Sequence, residues 1–172
     1  MKKAFVYFLM ILAMFLLQTT VFRAIALGGI VPNLLLIIVV SAGIMSGESY
    51  GLTTGFFCGL LCDIFFGSFL GFYALLYLYI GFVNGLFHRS FFAGNYVLPM
   101  SLLVGSDLFY GMACYFLMFL FRSRFAFGYY LVHQIVPEMI YTIVAALFFY
   151  PLILRISTRL DLIERKKEKK FV

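Results

Sequence analysis

Long apolar runs alternate along this chain with short groups of polar residues, glycine and proline. Most runs approach the about 20 residues that a helix needs to cross a bilayer, and those in the middle of the chain are shorter. The pattern predicts six helical spans in one polytopic membrane domain, residues 1–172, with a basic tail at 155–172. The predicted spans are residues 4–22, 31–45, 50–67, 71–87, 97–121 and 132–154.

The composition excludes most soluble classes of protein. Of the 172 residues, 65% are hydrophobic and 12% are charged, and the mean hydropathy is +1.07. A soluble domain usually has about 45–50% apolar and about 25% charged residues. The chain therefore lacks the polar residues to cover a globule in water, and we predict an all-α integral membrane protein, a compact bundle with short loops.

The basic residues predict an orientation. Ten of them fall on the side of the two termini, including Lys2, Lys3 and Arg89, and three fall on the other side. Cytoplasmic loops carry the excess of Lys and Arg, so both termini are expected in the cytoplasm. The tail is expected to contact anionic lipid, with an acidic protein as the alternative and no role in nucleic-acid binding. Its basic residues are Arg165, Lys166, Lys167, Lys169 and Lys170.

Glycine recurs at every fourth position through the third span, with one aspartate in the series. Residues four apart lie nearly above one another on a helix, and small residues in such a row let two helices approach closely in lipid. The series therefore predicts a tight helix contact, within the chain or with a partner. Its glycines are Gly47, Gly51, Gly55, Gly59, Gly67 and Gly71.

Three acidic residues, Asp63, Asp107 and Glu138, lie inside predicted spans, and no Lys or Arg lies at a similar depth. A charged side chain in mid-membrane costs about 2.5–3.5 kcal/mol on insertion scales. Two interpretations stay open: a polar cavity or partner site that opens outward, or separate structural hydrogen bonds. Asn33 and Asn84 are further polar candidates within the spans.

The sequence contains no arrangement typical of catalysis or metal binding. We find no nucleophile–base pair, phosphate-binding loop or zinc-protease motif, and the Cys and His residues lack metal-site spacing. The three cysteines, Cys58, Cys62 and Cys114, are expected to be small buried residues. We therefore predict a protein that is not an enzyme and that has no cofactor and no metal site.

The order of these features resembles the rod shape-determining protein MreD family along essentially the whole chain. The most specific part is the glycine series that leads to Asp63 and then to residues 71–75, GFYAL. The opening of the second span is next, where family members often have Pro-Asp and this chain has Pro32-Asn33. The other segments are LLQTTVF at 16–22, GGIVPNLLLIIVV at 28–40 and VPEMIYTIVAALFFYPLI at 136–153.

The resemblance implies a non-enzymatic membrane scaffold of the bacterial cell-elongation complex, in the cell membrane. Such a scaffold links MreC, the MreB cytoskeleton, RodA and the class B penicillin-binding protein, and so maintains rod shape during peptidoglycan synthesis. The family also looks like a fold relative of the substrate-binding subunits of energy-coupling-factor transporters.

That fold likeness provides the alternative function, a vitamin-binding subunit. In it, Asp63, Asp107, Glu138 and Asn84 would line an outward pocket. The bare loop 67–71, GSFLG, favours the scaffold, because a vitamin binder should have external loops rich in polar residues.

Overall fold

A computed structural model describes residues 2–26, 28–67, 70–90, 96–122 and 127–168, and this part of the chain is all-helical. A 3-10 turn, Phe87–Ser90, follows α5, and a π-helical turn, Leu131–Ile135, joins α7 to α8. The α-helices are α1 (Lys2–Thr19), α2 (Val21–Ala24), α3 (Leu34–Ser46), α4 (Glu48–Phe66), α5 (Phe72–Leu86), α6 (Val97–Arg122), α7 (Phe127–Tyr130) and α8 (Val136–Glu168).

Four helical stretches are long and apolar enough to cross a membrane: Lys3–Ala24, Glu48–Phe66, Val97–Leu117 and Gly128–Ile163. They correspond to the first, third, fifth and sixth predicted spans, and they fit a multi-pass membrane protein. The second and fourth predicted spans correspond to α3, with 13 residues, and α5, with 15. At about 1.5 Å per residue, α3 is only about 20 Å long, against about 30 Å for the hydrocarbon core.

Helix α8 continues far beyond the predicted end of the last span. The expected boundary was residue 154, where charged residues begin, but the helix extends to Glu168. Charge ends an apolar run without ending a helix. Residues 155–168 contain no glycine or proline and are rich in Arg, Leu, Glu and Lys, which are good helix formers. The first part of the predicted basic tail is therefore helical.

Helix α3 is the centre of the bundle. It packs against α1, α4, α5, α6 and α8, and 12 of its 13 residues are buried. Its sequence, LLLIIVVSAGIMS, is apolar on every side, and a helix of that kind is stable only when other helices surround it. The short helix that hydropathy places as an ordinary span is thus the core around which the longer helices pack.

Helices α4 and α5 form the closest pair in the bundle. A side chain added at Gly51, Gly55 or Gly59 would overlap the α5 backbone near Gly81, Tyr77 and Tyr73 respectively. Without a Cβ, the two backbones come into direct contact, and such close packing is one of the interactions that hold helices together in lipid. This part of the predicted glycine series therefore packs within the chain.

The other glycines of the series lie at helix ends. Gly47 separates α3 from α4 and has a φ of 89°, and Gly71 precedes α5 with a φ of 104°. Gly67 ends α4, where a Cβ would overlap the backbone of Asp63 in the preceding turn. The fourfold spacing thus continues beyond the helix contact into the turns on both sides of α4.

We predict that Gly55→Leu destabilises the folded protein by about 3 kcal/mol or more, because the new side chain overlaps backbone rather than mobile side-chain atoms. Thermal unfolding in detergent, followed by size-exclusion chromatography, measures the effect. Gly128→Leu is the matched control, since a Cβ at Gly128 meets nothing within 4 Å. Equal thermal stability of the two variants would refute the close α4–α5 contact.

Candidate functional site

Asn33 connects three helices at the beginning of α3. Its side-chain oxygen accepts hydrogen bonds from the backbone N–H of Leu36 (3.0 Å) and from the hydroxyl of Tyr77 on α5 (2.8 Å). Its own backbone N–H donates to the hydroxyl of Thr142 on α8 (3.0 Å). The backbone N–H of Leu35, in the first turn of α3, donates to the side-chain oxygen of Gln18 on α1 (3.2 Å). Asn33 is therefore both the N-cap of the central helix and the point where α3, α5 and α8 are joined.

Asp63 caps a helix other than its own. Its carboxylate accepts hydrogen bonds from the backbone N–H groups of Gly71 (3.0 Å), Tyr73 (3.0 Å) and Ala74 (2.9 Å). The first N–H groups of α5 have no partner within that helix, and a negative charge at a helix N-terminus is favourable. Asp63 is 2% exposed, so this carboxylate is satisfied by three amides of the chain itself.

Asp107 and Glu138 lie on facing helices, on either side of Thr142. The Asp107 carboxyl interacts with the Thr142 hydroxyl, and that hydroxyl donates to the backbone oxygen of Glu138 (2.8 Å). Asp107 is 4% exposed, and its Oδ2 has no hydrogen-bond partner among the described residues. The structure therefore brings together Asn33, Asp107 and Glu138 around Thr142, next to the N-terminus of α3.

Asn84 belongs to a different environment, between α5 and α6. Its amide nitrogen donates to the backbone oxygen of Ile80 and to the hydroxyl of Ser106, both at 2.8 Å. Its carbonyl oxygen is buried without a partner in the part of the chain that the structure describes. Asn84 and Asp63 therefore do not share a site with Asp107 and Glu138.

A second cluster of polar side chains joins the opposite end of α3 to α1 and α8, and it was not predicted from the sequence. The hydroxyl of Tyr7 on α1 contacts Ser46 on α3 (2.9 Å) and Ser157 on α8 (3.2 Å). Lys3 forms an ion pair with Asp161 nearby. These residues are far apart in sequence, and the only available signal was a hydroxyl inside an otherwise apolar run.

The predicted basic membrane contact is only partly covered by the structure. Arg165, Lys166 and Lys167 lie in the last turns of α8, and Lys169 and Lys170 lie outside the described residues. All three cysteines are free and buried. Within the described ranges, no group of three or more His, Cys, Asp or Glu side chains is placed to hold a metal ion.

We predict that Asp63→Ala lowers the free energy of unfolding by about 2 to 3 kcal/mol, because three backbone amides at the beginning of α5, one of them fully buried, lose their carboxylate acceptor. Asp63→Asn is expected to be intermediate, since its amide retains one of the two oxygens. Thermal unfolding of the purified variants in detergent ranks them. If all three proteins unfolded at the same temperature, the proposed capping of α5 by Asp63 would be wrong.

Asp107→Asn is predicted to accumulate in membranes and to unfold at the wild-type temperature or above. An amide keeps the shape of the side chain, and one of the two carboxyl oxygens of Asp107 has no hydrogen-bond partner among the described residues. Asp63→Asn is the matched control, because the same change there removes an acceptor in use. Membrane abundance and unfolding temperature of the two variants are compared with those of the wild type. If both quantities fall as far in Asp107→Asn as in Asp63→Asn, the prediction for Asp107 is wrong.

Comparison with known proteins gives one family match. The model of a family described as rod shape-determining protein MreD matches residues 1–158. The matched range contains the Asn33 junction, Asp63, Asn84 and the Asp107–Glu138 cluster, and it ends before the basic residues at 165–170. No curated protein matches the chain, and no solved structure matches it.

Proposed function

This chain belongs to the MreD family of rod shape-determining proteins, and on that premise we propose that it is a non-enzymatic scaffold of the bacterial cell-elongation complex. The family match over residues 1–158 is the observation on which the proposal rests. The polar residues of the bundle support it, because Asn33 and Asp63 bind the chain's own backbone and hydroxyl groups.

The proposed partners are MreC, MreB, RodA and the class B penicillin-binding protein. Membrane helices account for most of this chain, so contacts with membrane partners must involve helix faces within the bilayer. MreB is expected at the cytoplasmic ends of the helices. The basic residues after 158 would add an attraction to anionic lipid headgroups, which juxtamembrane Lys and Arg residues provide at about 1 kcal/mol each.

We propose six membrane crossings in the bacterial cell membrane, with both termini in the cytoplasm. The contacts of Lys3 with Asp161 and of Tyr7 with Ser157 support this topology, since they join the beginning of α1 to the late part of α8. An even number of crossings puts both ends on one side, and the excess of basic residues there favours the cytoplasm. The short helices α3 and α5 would cross with the help of the turns that flank them.

The family match points to cell shape and gives no support to the alternative of a vitamin-binding subunit. The environments of the four expected pocket residues agree with that. Asp63 caps α5, and Asn84 lies between α5 and α6, apart from Asp107 and Glu138. The likeness of the fold to energy-coupling-factor subunits stays a prediction.

Affinity purification from native membranes in mild detergent tests the proposed function, together with complementation of cells that lack the gene. We expect wild-type protein to restore rod shape and to co-purify with a single-span coiled-coil protein and wall-synthesis enzymes. An unrelated polytopic protein with the same tag and abundance is the control. Recovery of an ATPase module with a bound vitamin, or failure to restore rods at normal abundance, would contradict the proposal.

A further inference from the structure

The hairpin of α4 and α5 ends before its neighbours do, on the side of the bundle opposite the two termini. Phe8 packs on Phe57 (6.3 Å between ring centres) and Phe15 packs on Phe65 (5.0 Å), so α1 and α4 run in the same direction. From the level of Phe15, the first helical stretch continues to Ala24, which adds about 13 Å. The turn after α4 therefore lies roughly 10 Å below the end of that stretch.

The alignment of α5 with α6 gives a similar difference. These two helices run in opposite directions, and the rings of Tyr77 and Tyr110 lie 5.3 Å apart. From that level, α5 extends five residues back to Phe72, whereas α6 extends twelve residues onward to Arg122. The difference of seven residues corresponds to about 10 Å. The hairpin is thus lower than the helices on both of its sides.

Polar residues hold the other end of the hairpin at the opposite surface. Glu48 at the beginning of α4 and Arg89 after α5 line the same polar recess. From Tyr50 to Phe66, α4 is only about 25 Å long, against about 30 Å for a hydrocarbon core. Moving the hairpin outward to make up this difference would draw Glu48 and Arg89 into the hydrocarbon, which is unfavourable for charged side chains.

The turn between α4 and α5 needs contact with headgroups or water. The last carbonyls of a helix have no donor within that helix, and hydrocarbon supplies none. The exposed side chains around the turn are apolar, with Phe65, Phe66 and Leu70 at 62%, 55% and 79% exposure. A bilayer compresses by a few Å at modest cost, whereas unsatisfied backbone groups in hydrocarbon are strongly unfavourable. The bilayer is therefore expected to adapt to the turn.

We propose that the α4–α5 face thins the leaflet beside it, and that the lipid covering this face is a phospholipid with short acyl chains. The bundle then presents a low apolar belt along α4 and α5 and a high one along α6 and α8. In the proposed orientation the thinned leaflet is the outer one. The inference goes beyond the scaffold function, which does not depend on it, and uses the proposed orientation only to name the leaflet.

Tilting the bundle does not remove this difference in height. Helix α6 has 26 residues and is about 39 Å long, and a long helix fits a core of about 30 Å by tilting. The hairpin tilts with it, because α4 packs on α1 and α5 packs on α6. A tilt that fits the long helices into the bilayer therefore leaves the turn below their ends.

Quenching of tryptophan fluorescence by brominated phospholipids measures the depth of each helix end. The chain contains no Trp, so a single introduced Trp reports one position. Leu70→Trp reports the turn and Val21→Trp reports the end of the first helical stretch. Phe116→Trp is the matched control, because Phe116 is 65% exposed and lies on α6 close to the level of the beginning of α5.

The proposal predicts two depths for these three positions in dioleoyl bilayers. Leu70→Trp and Val21→Trp should be quenched most by bromines near the carbonyl end of the acyl chain. Phe116→Trp should be quenched most by bromines near the middle of the chain, although it is close in height to the turn. Elution on size exclusion shows whether each variant folds, and Phe65→Trp replaces Leu70→Trp if that variant does not.

Three results would overturn the thinning. Quenching of Leu70→Trp at the same depth as Phe116→Trp would place the turn inside a leaflet of normal thickness. No quenching of Val21→Trp by any brominated lipid would mean that the first helical stretch projects into water from a flat leaflet. Shallow quenching at all three positions would mean that α6 has no higher belt than the hairpin.

A mixed bilayer tests the preference for short chains. Dimyristoleoyl and dioleoyl phospholipids are mixed in equal amounts, and one species at a time is brominated at its double bond. The short brominated lipid should quench Leu70→Trp about twofold more strongly than the long one, with no such preference at Phe116→Trp. Equal quenching of Leu70→Trp by the two species would reject the short-chain lipid. Complementation of rod shape is measured separately, so either failure leaves the scaffold function standing.

Discussion

The burial of α3 is the constraint on which the rest of the structure depends. A helix that is enclosed on every side leaves unpaired N–H groups at its beginning and unpaired carbonyls at its end, with no water nearby to satisfy them. Asn33 and Gln18 accept from the first amides of α3, and the His88 ring donates to the carbonyl of Ile44 at 2.7 Å. These bonds also hold α1 and α5 against the core. The side chains that satisfy the terminal backbone groups of α3 therefore also fix the positions of neighbouring helices.

The membrane determines which interactions hold the remaining helices together. Lipid tails are as apolar as the side chains, so burial alone does not drive helices together, and close packing and hydrogen bonds must do so. The α4–α5 pair uses glycine for direct backbone contact, and Asp63 then fastens the same pair through the first turn of α5. The side chains of Asn33 and Asp63 thus stabilise the bundle through hydrogen bonds within the chain itself.

Hydropathy predicted the positions of the main helices because a span is a local property of sequence. The glycine spacing likewise predicted a close helix contact, since backbone approach requires glycine at fixed intervals. The junction of Asn33 with Thr142 could not be predicted, because 109 residues separate the two and only the fold brings them together. The capping role of Asn33 shows that one carbonyl oxygen suffices for the bond to the first turn of α3.

Depth in the membrane was too coarse a guide to the roles of the acidic residues. Asp63 and Asp107 both looked like buried charges without a basic partner. Sequence alone did not reveal that the Asp63 carboxylate accepts from three amides, whereas one oxygen of Asp107 has no hydrogen-bond partner among the described residues. The end of α8 could not be located from polarity, because helix propensity continues after the apolar run. The environment of Asn84 was equally hidden, because its hydrogen bond to Ser106 depends on the packing between α5 and α6.

The central position of α3 is tested most directly by labelling from the lipid itself. The protein is placed in a bilayer that contains a phospholipid with a diazirine on its acyl chain, irradiated, and mapped by mass spectrometry. Carbene insertion should occur at lipid-exposed side chains such as Phe5, Phe65 and Phe148, which are 63%, 62% and 75% exposed, and should be absent from Leu34–Ser46. Adducts on α3 at a level similar to those on α8 would contradict the account, because α3 would then lie at the edge of the bundle.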